Sequence, residues 1–90
     1  MSLMPKLRQE LKAKAHNLKP IVMIGFNGLT ESVILEIERA LYDHELIKVK
    51  ISSADRDGKE SIYQAIASQC QAEKIQLIGN IGVFYRKRSD

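Results

Sequence analysis

The chain has 90 residues, 44% hydrophobic and 28% charged, enough for one small core but too few for a deep cleft between two domains. No run approaches the ~20 apolar residues that span a bilayer, so no membrane partner is expected. The net charge of +3 divides unevenly: residues 1–30 carry five Lys/Arg against one acid, residues 31–60 five against eight, and residues 61–90 four against two.

Leu7, Leu11, Ala15 and Leu18 recur on one helical face, which predicts a helix starting near Pro5 and ending around His16-Asn17, ahead of Pro20. Met1-Ser2-Leu3, before it, lack the pattern of a secretion signal. Ile21-Val22-Met23-Ile24 is a continuous apolar run, read as a short strand in the middle of a sheet. A two-glycine loop, Gly25-Phe26-Asn27-Gly28, then leads to Thr30, a good N-cap. The helix that follows should bury Val33, Ile34, Ile37, Ala40 and Leu41 and expose an acidic face of Glu31, Glu36, Glu38, Arg39 and Asp43.

From Leu46 to Ser52 the period changes to two, with Ile47, Val49 and Ile51 on one side and Leu46, Lys48, Lys50 and Ser52 on the other, a half-buried strand. Ala54 to Gly58 reads as a polar turn, and Ile62, Ala65, Ile66 and Gln69 mark a third helix. Asp55 and Asp57 are followed by no calcium-ligand set and are assigned to turn and cap. Ile75–Gly79 and Val83–Arg86 are two strands of a hairpin joined by Asn80-Ile81-Gly82, and the tail from Lys87 should fray. The expected fold is a single α/β domain over residues 1–90, a two-layer sandwich of order α-β-α-β-α-β-β with a four-stranded mixed sheet. Residues 1–4 and 87–90 are expected to be disordered.

Chemistry-bearing constellations are scarce. His16 and His44 are far apart and lack cysteine or acid at ligand spacing, and no nucleophile elbow, Walker lysine or zinc-binding pair occurs. The lone Cys70 cannot close an internal disulfide, fits a reducing cytoplasm and reads as a packed side chain. Neither catalysis, metal, cofactor nor small-molecule substrate is expected. The two-glycine loop before a capped helix can be an ordinary turn or an anion cradle, because bare backbone N–H groups and the positive helix end converge there.

Taken together, Leu18-Lys19-Pro20, the apolar strand, Gly25-x-x-Gly28-Leu29-Thr30, the run His44-Glu45-Leu46-Ile47-Lys48-Val49-Lys50 and the closing Phe84-Tyr85-Arg86 resemble the CRM domain, specifically its stand-alone bacterial YhbY-like form, over residues 5 to 88. The resemblance implies an RNA-binding module folded like the C-terminal domain of translation initiation factor three. Bacterial members of that family associate with precursors of the large (50S) ribosomal subunit, and the glycine loop is likened to the GXXG loop of KH domains. Carried over, Gly25, Phe26, Asn27 and Gly28 form the loop, and Lys48, Lys50 and Arg86 lie on the basic surface near it.

The loop departs from the family pattern in having no cation: Phe26 and Asn27 stand between the glycines, so Phe26 either stacks on an unpaired base or folds onto the sheet edge. Phosphates are expected at the N–H groups of Gly28, Leu29, Thr30 and Glu31, attracted by Lys12, Lys14, Lys19, Lys48, Lys50, Arg86 and Lys87. The expected partner is large-subunit ribosomal RNA or a pre-50S particle. The alternative is an adaptor that reaches the ribosome by touching a protein with the face of Glu31, Glu38 and Asp43.

Overall fold

In the computed structural model, which describes residues 4–52 and 55–88, Pro5 occupies the first turn of helix α1 (Pro5–Ala15), where a missing N–H costs nothing. The chain continues through β1 (Val22–Ile24), α2 (Glu31–His44), β2 (Leu46–Ile51), α3 (Arg56–Gln69), β3 (Glu73–Ile78) and β4 (Ile81–Tyr85). This is the element order read from the sequence. The four strands form one mixed sheet in the order β1-β2-β4-β3, with β1 parallel to β2 and β4 antiparallel to both its neighbours.

The alternation in β2 sends Ile47, Val49 and Ile51 to one face, where they join Val22, Ile24, Phe84 and the apolar stripes of α2 and α3 in the larger core. Tyr63 and Phe84 stack at its centre with ring centroids 5.1 Å apart. Gly82 lies under this pair: a Cβ there would come within 3.1 Å of both rings. The sheet with α2 and α3 is thus the two-layer sandwich. α1 lies across the opposite face, where Leu11 and Ala15 pack on Ile75 and Val83 in a second, smaller core.

Three expectations are corrected. β1 is an edge strand, not a central one, and α1 packs over β2 and β3 on the second face, so Ile21 and Met23 are 47% and 64% exposed despite the continuous apolar run. Arg56-Asp57-Gly58 is the first turn of α3, because the Asp55 carboxylate accepts the Gly58 N–H at 2.7 Å and caps the helix. The hairpin turn is Gly79-Asn80 rather than residues 80–82.

The tail is also held further than expected. Arg88 donates through Nε to the Tyr42 carbonyl and through its guanidinium to that of Asp43, and lies 5.4 Å from the Tyr42 ring centre. It satisfies carbonyls left open at the C-terminus of α2 and puts positive charge at that helix end. Met4 accepts the Arg8 N–H, so it too belongs to the folded chain, whereas the expectations for residues 1–3 and 89–90 lie outside the described residues.

Candidate nucleic-acid interface

Because β1 and β2 run parallel and each feeds a helix, the N-termini of α2 and α3 arrive at the same end of the sheet. The Gly25–Gly28 loop lies there, between β1 and α2. At this end Ser52 N–H donates to the Ile24 carbonyl at 3.0 Å, holding the strand residue before the loop, and Ile51 N–H donates to the Asn80 carbonyl of the hairpin turn at 2.7 Å. Arg56 and Lys59 also reach this end, with Lys59 Nζ donating to Asn80 Oδ1 at 2.7 Å. Sequence reading placed Arg56 in a turn and did not single out either cation; a helix start at Asp55 would have done so.

Within the loop, Gly28 N–H donates to the Gly25 carbonyl at 3.0 Å and Thr30 N–H to the Gly28 carbonyl at 3.1 Å. These bonds make the loop a closed turn. They correct the expectation that the N–H groups of Gly28 and Thr30 are available to a phosphate. Gly28 takes φ +71°, a left-handed conformation that a Cβ disfavours. Thr30 Oγ1 accepts the Val33 N–H, as expected of the N-cap. The outward-facing donors are then Glu31 and Ser32 in the first helical turn, whose N–H groups have no intrahelical acceptor, with Leu29 immediately before them. Phe26 is fully exposed at the loop tip, which removes the alternative that it folds onto the sheet edge.

The face of the sheet that carries α1 gathers the lysines. Lys48 and Lys50 alternate with the buried residues of β2 and so point to this side. Lys48 is central: with Lys14, Lys19, Leu18, Ile21 and Tyr85 it lines a groove of about 620 Å³ between α1 and β2. With Lys12, His16 and Gln76 it lines a smaller hollow on the other side of α1. Lys50 stands directly opposite Met23 of β1, one step nearer the glycine loop. Among the described residues the ion pairs are Arg39–Asp43 and Arg86–Glu38, so none of these five lysines is neutralised by a salt bridge. Lys12, Lys14, Lys19, Lys48 and Lys50 therefore lie on the α1 side of the sheet, Lys14 and Lys19 in the groove that also holds His44 and Glu45, and Lys50 nearest the loop.

Arg86 does not belong to it. Its backbone N–H donates to the Glu45 carbonyl at the start of β2, which puts it about 20 Å, six strand residues, from the loop end of the sheet. Its guanidinium pairs with the Glu38 carboxylate and donates to the Cys70 carbonyl at 2.9 Å. It clamps α2 to the end of α3. Lys87 follows it at this far end, exposed and likewise away from the loop. Cys70 itself is buried, and that burial pushes its thiol above the usual range. α2, which carries Glu31, Glu36 and Glu38, packs on the opposite side of the sheet from α1.

The family model of the CRS1 / YhbY (CRM) domain matches residues 3–86. An RNA-binding protein of Haemophilus influenzae is 53% identical over 85 residues, covering 94% of this chain and 86% of its own length. A probable RNA-binding protein of Pseudomonas aeruginosa is 41% identical over 87 residues, covering 97% and 84%. The fold is shared with a solution structure from Staphylococcus aureus at a TM-score of 0.85 and 32% identity, covering 99% of this chain and 93% of that one. By a match that spans nearly its whole length, together with these relatives, the chain belongs to the CRS1 / YhbY (CRM) domain family.

Proposed function

We propose that this protein binds RNA without catalysing a reaction, and that it does so at the loop end of the sheet and across its lysine face. The observation that carries the reading is a sheet face with five lysines free of salt bridges among the described residues, which at Lys50 comes next to the strand leading into the glycine loop and the open N–H groups of α2. Phosphates are held there by charge and by backbone donors, a mode that positions RNA without reading its sequence. The names of the relatives support RNA as the partner. The RNA we propose is ribosomal, in precursors of the large subunit in the cytoplasm, which rests on the likeness of the motif set to stand-alone bacterial members of the family. Crosslinking in cells followed by sequencing of the attached RNA tests this. Sites clustered in large-subunit ribosomal RNA are expected, and sites scattered over messenger RNA would refute the ribosomal assignment.

One observation favours an adaptor role instead. Leu35 is 64% exposed on α2, beside Glu31, Glu36 and Glu38, and an exposed apolar residue among acids suits a protein contact. An adaptor of that kind would not bind naked ribosomal RNA.

A further inference from the structure

We infer that the RNA segment held by this surface is unpaired, with its bases laid on an apolar strip that runs along β1 to the tip of the glycine loop. The inference rests on the RNA-binding reading and deepens it. Ile21, Met23 and Phe26 are all exposed on this path, although the chain has a core in which to hide apolar side chains. Two of them have a lysine beside them on β2: Met23 of β1 is registered against Lys50, and Ile21, just before β1, donates its N–H to the Lys48 carbonyl at 3.1 Å. The result is an apolar row about 13 Å long from Ile21 to Gly25, beside a shorter cationic pair, Lys48 and Lys50.

Such a pair of rows matches the two faces of a single strand. Lysines two residues apart on β2 stand about 7 Å from each other, comparable to the spacing of successive phosphates in an extended strand, while bases stack or pack on the apolar row. A duplex offers phosphates and 2′-hydroxyls but keeps its base faces stacked inside, so it would satisfy the lysines and leave Ile21, Met23 and Phe26 against water. Charge favours a polyanion over a neutral or basic protein segment as occupant, and the flat faces of unpaired bases suit the apolar row beside it. The one carboxylate lining the adjoining groove, Glu45, is at the far end of β2 and accepts the Arg88 N–H at 2.7 Å. The strip is also continuous with the loop proposed to hold phosphate.

The test is fluorescence anisotropy of the whole chain with a labelled, unstructured RNA and with the same strand annealed to its complement. The protein should prefer the unpaired strand. Phe26→Ala with Met23→Ala should weaken that binding roughly five- to hundred-fold while leaving duplex binding unchanged. Both side chains are exposed, so the fold survives, which circular dichroism checks. Equal binding to both forms, untouched by the substitutions, would overturn the inference while the RNA-binding reading stands, and would assign the strip to another occupant such as a protein. Failure to bind either RNA at low salt would instead overturn the RNA-binding reading, and this inference with it.

Discussion

Replacing Lys48 and Lys50 together by glutamine should change the salt dependence of RNA binding by a calculable amount. The lysine face holds five cations, Lys12, Lys14, Lys19, Lys48 and Lys50, and none has an ion-pair partner among the described residues. If each neutralises one phosphate, the logarithm of affinity for an unpaired strand falls against the logarithm of salt with a slope of about −3.5, and removing two lysines brings it to about −2.1. A fourfold rise in salt then weakens the wild type about 130-fold and the variant about 20-fold. Glutamine removes the charge and keeps the first two methylenes of the stem, so most of the packing of these half-buried side chains near the backbone is retained. The assay is a titration at four or so salt concentrations with one labelled RNA, and Arg86→Gln is the control, since Arg86 is engaged with Glu38 about 20 Å from the loop end. An unchanged slope in the lysine variant, or an equal loss of slope in the Arg86 control, would refute the assignment of the face.

Gly28→Asp should abolish RNA binding at a stability cost of about 1–2 kcal/mol, because φ there is +71° but the space around a new Cβ is open; Gly28→Asn, equally strained and uncharged, should retain most of the affinity. Arg86→Ala should lower stability by about 2 kcal/mol in urea denaturation, since it removes hydrogen bonds to Glu38 and Cys70 at a site only partly screened by water, and should leave RNA binding intact. Burial of Tyr63, with Glu60 nearby, pushes its hydroxyl up to about 12 from 10. Folding therefore favours the protonated phenol, and that contribution is present below pH 10 and lost as pH rises towards 12. Tyr63→Phe should flatten the alkaline fall in stability over this window, and an identical fall in the variant would assign it to other groups.

Much of the fold was legible because local signals and tertiary packing agree. Thr30 capping α2, the period-two pattern of β2 and the apolar stripe ending in Leu41 each point to one conformation, and each is found. What was not legible depends on partners far along the chain. Four consecutive apolar residues, Ile21 to Ile24, look like a strand buried on both faces, but whether a helix covers the face of Ile21 and Met23 is decided by the topology, which lays α1 over β2 and β3, not by the run itself. Arg86 reads as one more cation near a basic end, and only the approach of Glu38, 48 positions away, converts it into a clamp. The glycine loop was located from spacing alone, yet its internal bonds, which turn Gly28 and Thr30 N–H inward, follow from a turn conformation that two glycines permit but do not dictate.

Amide chemical-shift mapping of the whole chain during titration with an unpaired RNA distinguishes the lysine face and loop end from α2 as the place where RNA lies. Shifts are expected to concentrate at Met23, Gly25 to Ser32, Lys48 and Lys50, with Glu36 and Arg39 unmoved. Shifts concentrated on the outer face of α2, with the loop unmoved, would contradict this placement of the RNA.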